Sequence, residues 1–229
     1  MTIHVVQHTS AEFLGLIEDH LEGRGIRFRY CRPFTGKVPL PKPDALDQGL
    51  VLLGGGPWGS AGTRDVPTLS SEVELAKACL REGKPIVGIG LGAQILALAA
   101  GGNAQKNELE FSVGVAKRVK PAALEGYLPP EYPLAVYMRD WPLPPPGAEV
   151  LAVDAKGRAA LWQLDSRALG FAGHPGLKVA MVEDLVMEFE EVAPDADAGL
   201  AALRAAQRGL EDALVPIMVG VVKLMHWMD

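Results

Sequence analysis

The stretch Val87-Gly88-Ile89-Gly90-Leu91-Gly92-Ala93-Gln94 limits the architecture of this chain more tightly than any other. An apolar run, Lys84-Pro85-Ile86-Val87, leads into it, and an apolar helical pattern from Ala93 to Ala100 leads out. A strand that turns sharply into a helix lifts the turn residue above the sheet edge. The first helix N–H groups then point at whatever binds there. Enzymes with this turn place Ser or Cys at its apex. Here the apex is Gly90, which has no side chain to attack anything.

Alternating strands and helices surround this unit. Ile3 to Val6 reads as a short buried strand. Thr9 and Glu12 form a capping-box pattern, after which Phe13, Leu14, Ile17 and Leu21 recur at helical spacing until Gly23 and Gly25. Ile26 to Tyr30 alternates as a strand, and a connection with Pro33, Pro39, Pro41 and Pro43 leads to a strand at Leu50–Leu53. A second capping-box pattern, Ser71 to Glu74, opens a helix with the stripe Leu69, Val73, Ala76 and Leu80. Such βα units call for a parallel sheet with helices on both faces. From Leu109 the pattern changes to short strand-like segments at 110–119, 133–138, 149–154, 158–164 and 168–172, which suggests an antiparallel extension. Residues 194–229 read as a helical tail, kinked or restarted at Pro216. Its last part, Ile217 to Met228, is apolar nearly all round apart from Lys223 and His226, so it must be buried on its own domain or in an oligomer.

Composition narrows the classes of partner. A chain of 229 residues suits one large α/β domain, 1–193, with the extension 194–229. The formal net charge of −6, with no Lys/Arg cluster, argues against a nucleic-acid groove. No apolar run is long enough to span a bilayer, and no signal-peptide pattern opens the chain. Cys31 and Cys79 suggest no disulfide framework, which fits a reducing cytoplasm. The five histidines are scattered without ligand spacing, so neither a metal nor a cofactor is expected.

Residues 49–103 resemble the first half of a class I glutamine amidotransferase domain, whose elbow reads G-I-C-L-G-x-Q. Gly90 stands where that family carries its catalytic cysteine. Gly49 to Gly59, with Gly54-Gly55-Gly56-Pro57-Trp58 at its centre, resembles the strand and glycine loop that supply oxyanion-hole N–H groups. Ala168 to Gly176 resembles the segment G-x-Q-F-H-P-E. His174 matches the catalytic histidine, and Gly176 replaces the glutamate that orients it. Tyr137 to Asp140 sits where related proteins read W-H-G-D. The resemblance implies a flavodoxin-like, mostly parallel sheet with helices on both faces, a small antiparallel extension and a helical C-terminal tail.

The resemblance also assigns candidate residues. Gly90, His174 and Gly176 occupy the three triad positions; Gly55, Gly56, Trp58, Leu91, Gln94 and Asp140 are expected around a substrate, Asp140 also as a substitute orienter for His174. For each there is a plainer structural role: a tight turn at the glycines, a core lid at Trp58, a helix-lining Gln94, a solvated loop carboxylate at Asp140. His174 equally suits a backbone hydrogen bond at a strand end. Without a thiol the covalent route to a glutamine amide is closed. Losing the acid as well argues against an isolated knockout of the nucleophile. The expected function is a glutaminase-silent protein that binds a small amide or amino acid, or serves as a subunit of a partner enzyme. The alternatives are an enzyme of altered, non-thiol chemistry using His174 and the Gly54–Gly56 loop, and a homo-oligomer built through the tail.

Overall fold

The structure, a computed structural model, describes residues 2–36 and 39–228. Among the described residues, eleven strands and five α-helices follow one another. They are β1 (Ile3–Val6), α1 (Leu16–Glu22), β2 (Phe28–Cys31), β3 (Leu50–Leu52), α2 (Leu69–Arg81), β4 (Ile86–Ile89), α3 (Leu91–Ala99) and β5 (Asn103–Gln105). Then come β6 (Glu110–Arg118), β7 (Glu131–Met138), β8 (Trp141–Leu143), β9 (Glu149–Val153), β10 (Ala159–Leu164), β11 (Ala168–Phe171), α4 (Val179–Glu188) and α5 (Ala196–Leu224).

Nine strands form one sheet in the order β2-β1-β3-β4-β11-β10-β9-β6-β7, and β5 pairs with β8 in a separate ribbon. The first five strands of that order run parallel, the flavodoxin-like 2-1-3-4-5 arrangement; β10, β9, β6 and β7 continue it antiparallel. β1, β3, β4 and β11 are buried at every position, because helices cover both of their faces. On one face, Val5, Val51, Val87 and Phe171 pack with Leu14, Ile17 and Leu21 of the α1 region and with Leu214, Ile217 and Val221 of α5. On the other, Val6, Leu50, Leu52 and Ile86 pack with Leu75 and Cys79 of α2 and Leu91 and Ile95 of α3. A third cluster joins Phe111 and Tyr137 to Met181 and Leu185 of α4 and Leu203 and Leu210 of α5.

Several local expectations are corrected. The Thr9–Glu12 capping box opens no helix: Thr9 Oγ1 accepts the Glu12 N–H at 3.0 Å, but α1 begins only at Leu16, after Gly15 at φ 61°. The Glu12 carboxyl turns away to a stronger partner, described below. Ser71 likewise lies inside α2, which starts at Leu69 with Thr68 before it. Of the Pro-rich connection, Pro33–Thr35 and Pro43–Ala45 form single 3₁₀ turns, while Lys37 and Val38 lie outside the described residues. The tail does not restart at Pro216. It is one helix of 29 residues through the proline, and its apolar side is buried within its own chain. α4 and the β5–β8 ribbon had no counterpart in the sequence reading.

Among the described residues, no helix is long and apolar enough to cross a membrane.

Candidate functional site

The carboxyl ends of β1, β3, β4 and β11 meet at one sheet edge, where open α/β sheets place their sites. Gly90 sits there between β4 and α3 with φ 57° and ψ −116°. That is the strained strand-to-helix turn of a nucleophile elbow, with glycine at its apex. Its N–H donates to Phe171 O at 2.9 Å, which ties the elbow to the end of β11. A Cβ at this position would touch only Gly54 Cα, at an ordinary 3.4 Å. The slot for a small side chain is open, and only the backbone conformation disfavours filling it.

The other glycine of the triad positions is sealed. A Cβ on Gly176 would lie 2.9 Å from Ile17 Cγ1 and 3.0 Å from both Ile17 N and Leu14 O. The start of α1 fills the space an acidic side chain would need. Gly176 O accepts the Leu16 N–H at 2.9 Å, and a Cβ on Gly15 would collide with that same oxygen. Gly15 and Gly176 therefore let two backbone segments meet face to face.

His174 is drawn into this junction. One ring nitrogen, Nδ1, accepts the Gly176 N–H at 3.1 Å, so the other must carry the proton and donates to Phe13 O at 2.8 Å. The tautomer is thus fixed by main-chain groups, with no carboxylate involved. Burial pushes its pKa down to about 4, so the imidazole is neutral at physiological pH. Both nitrogens are occupied, and the ring serves to staple the histidine turn to the β1–α1 loop.

The glycine loop carries a buried ionisable cluster that the sequence reading did not single out. Glu12 Oε2 accepts the Gly56 N–H at 2.8 Å, and the carboxyl lies so close to Gly54 that a Cβ there would overlap it. Burial pushes the Glu12 pKa up to about 7. Beside it, His8 faces two acceptors: Gly54 O at 3.0 Å and Glu72 Oε2 at 2.7 Å. Donating to both requires a proton on each ring nitrogen, an arrangement that favours the imidazolium. Burial opposes that charge, but the Glu72 carboxylate, the Gly54 carbonyl and Glu12 together outweigh it and the His8 pKa is raised. Thr68 Oγ1 donates to the second Glu72 oxygen. Glu72 was legible in principle: it lies on the buried face of α2, where a carboxylate must have a partner.

The remaining expected residues divide into two groups. Gly54–Gly56, Trp58 and Leu91 come together with Gly90; Cβ positions on Gly55 approach Leu91 and Trp58. Gln94 and Asp140 come together elsewhere. Gln94 is fully buried, accepting from Ser60 Oγ at 2.7 Å and donating to Arg139 O at 2.7 Å. Asp140 accepts the N–H groups of Ser60, Ala61 and Asn107 at 2.9–3.0 Å. These two side chains clamp the loop after Trp58 onto the end of β7. Neither reaches His174 through any of these bonds. Cys31 and Cys79 are buried, and burial raises both thiols, Cys79 to about 12. Among the described residues, no group of three or more His, Cys, Asp or Glu is placed to hold a metal ion.

Sheet order, elbow and glycine loop together define a glutamine-amidotransferase-like α/β protein. The family model described as "Glutamine amidotransferase class-I" matches residues 15–179, and the chain belongs to that family. Among its relatives is the glutamine-hydrolysing GMP synthase of Aeropyrum pernix, 32% identical over 69% of this chain. The match covers 31% of that relative, so the chain spans about a third of its length. The glutamine amidotransferase-like protein YfeJ of Salmonella typhimurium is 25% identical over 86% of this chain and 84% of its own. A glutamine amidotransferase from Thermotoga maritima superposes with a TM-score of 0.82 at 21% identity, covering 98% of each chain. One from Methylobacillus flagellatus gives a TM-score of 0.73 at 25% identity, covering 99% of this chain and 90% of that one.

Proposed function

We propose that this chain is a class I glutamine amidotransferase-like protein without cysteine-dependent glutaminase chemistry, acting as a small-molecule-binding or accessory subunit. The observation that carries the reading is Gly90 at the apex of an otherwise complete elbow. A thioester needs a thiolate there, and none of the turn's neighbours offers one. The staple at His174 supports the same reading, since a histidine with both nitrogens engaged cannot shuttle a proton without first breaking a bond. For the same reason the geometry does not favour an altered chemistry run by His174. The GMP synthase relative supports a partner-enzyme role, because in that protein a segment matching this chain makes up only part of a longer enzyme. The extension 194–229 serves the domain 1–193 as a cover, and its buried apolar side offers little to a homo-oligomer. Two free buried thiols suit a reducing, cytoplasmic setting.

The test is ammonia release from glutamine by the purified chain and by Gly90→Cys. Neither is expected to release ammonia above the uncatalysed rate. Turnover at enzymatic rates by the unaltered chain overturns the reading. Turnover by Gly90→Cys alone would show that His174 leaves its staple and that the pocket still admits glutamine.

A further inference from the structure

The irregular segment 189–195, between α4 and α5, lies across the glycine loop as a strap. Phe189 and Leu185 cover Gly56, and Glu188 at the strap's start accepts the Ser10 and Ala11 N–H groups at 3.2 and 3.1 Å. Glu191 is the strap's central anchor. One of its carboxylate oxygens pairs with Arg139 and the other with Arg64.

The two arginines differ in a telling way. The Arg139 side chain is only 3% exposed, held by its Nε–H donating to Pro57 O at 3.0 Å. Its other acidic neighbour, Glu108, is 3.6 Å away and 87% exposed. Arg64 lies over the Trp58 ring at 4.9 Å and the Phe189 ring at 5.8 Å. A buried guanidinium must be matched by an anion. Here that anion is a side chain on a loop, 38% exposed, while Arg139 follows the end of β7 and Arg64 lies on the loop after Trp58. Under the strap, the Tyr137 hydroxyl faces the Ala193 backbone without a hydrogen bond of ordinary geometry, near both Glu12 and Glu191.

We propose that Arg64 and Arg139 form a binding cradle for the carboxylate of a small organic acid, with Glu191 as its built-in occupant. Two guanidinium groups, each meeting a different oxygen of one carboxylate through a single nitrogen, match the charge and the oxygen spacing of that group. When the strap lifts, a ligand carboxylate replaces Glu191, and the Tyr137 hydroxyl is left available to the rest of the ligand. The inference rests on the small-molecule-binding reading above and supplies the class of ligand. Because Glu191 competes from within the same chain, the unaltered protein binds such acids weakly.

The experiment is calorimetric titration of the full chain and of Glu191→Ala with succinate, with succinamide, and with inorganic phosphate. Glu191→Ala is expected to bind succinate roughly tenfold or more tighter than the unaltered chain. Succinamide and phosphate should bind at least about tenfold more weakly than succinate, and adding Arg64→Ala should abolish the gain. Should Glu191→Ala fail to fold, Glu191→Gln keeps the strap's shape without its charge, and succinate should then raise its melting temperature. No succinate binding by either variant in the millimolar range, or equal binding of all three probes, overturns the cradle. Loss of the cradle would leave the glutaminase reading untouched, and ammonia release by the unaltered chain would sink that reading while sparing the cradle.

Discussion

Gly90 and Gly176 occupy two positions of the same expected triad, yet their surroundings are opposite. Gly90 has an unfavourable backbone for any side chain and room for one, with only Gly54 Cα near its missing Cβ. Gly176 shows no left-handed backbone, and Ile17 and Leu14 leave it no room. The elbow keeps an open apex at Gly90, whereas the histidine turn is closed by Gly15 and Phe13, which bond and pack against Gly176 and His174. A missing side chain is therefore not one kind of event: it can leave a vacancy, or it can become a packing requirement.

The largest expected effect tests the sealed side. Gly176→Glu should destabilise the fold by roughly 3 kcal/mol or more, because the carboxylate and its stem would displace Ile17 and Leu14. Gly15→Ala should do the same through Gly176 O, with the strain of φ 61° added. Urea midpoints measure both, and a Gly176→Glu protein as stable as the parent would break the comparison.

Next comes the staple that joins the two sides. His174 has a folded pKa of about 4 against an ordinary value of 6.5. The unfolded chain therefore binds the proton first as pH falls. The staple's stability is fully present above about pH 6.5 and is lost as pH falls toward 4, by on the order of 3 kcal/mol. His174→Gln should remove that slope while costing about 1–2 kcal/mol at neutral pH for the strained or missing hydrogen bonds.

Glu12 tests the open side with the opposite sign. Its folded pKa is raised to about 7 from 4.5, so the folded chain binds the proton more tightly and stability is lost as pH rises from about 4.5 to 7. Glu12→Gln keeps an acceptor for the Gly56 N–H without the buried charge. It should be more stable than the parent at pH 8 by about 2 kcal/mol, with little difference at pH 4. An advantage that is constant across pH would show that Glu12 is not the titrating group. The smallest effect belongs to Gly90→Cys. It should cost only about 1–2 kcal/mol, from the backbone strain alone, and leave the melting transition cooperative. A loss as large as that of Gly176→Glu would erase the contrast between the two glycines.

The parallel half of the fold was legible because its strands are short, mostly apolar and separated by helical patterns. The elbow was legible because an apolar strand, glycines at 88, 90 and 92 and an apolar helix leave few other conformations. What escaped the sequence was decided by distant partners. Thr9 and Glu12 have the spacing of a helix cap, but Glu12 finds the Gly56 N–H, 44 positions away, and the helix starts six residues later than that pattern placed it. β5 and β8 are three residues each, and β8 contains Pro142, so neither shows a strand period. Arg139 reads as one more loop charge until Pro57, Glu191 and the end of β7 close around it. The sealed Gly176 is a contact between two backbones, which no side-chain pattern announces.

The contact between Gly15 and Gly176 also sets the order in which side chains can be introduced at positions 90 and 176. A single exchange at position 90 can restore a thiol to a turn that still accepts it. An acid at position 176 has no such direct route, since the loop from Phe13 to Ile17 must first retreat and give up its bonds to His174 and Gly176. The meeting of two bare backbones thus works as a latch: position 90 accepts a side chain by one exchange, and position 176 accepts one only after its neighbours give way.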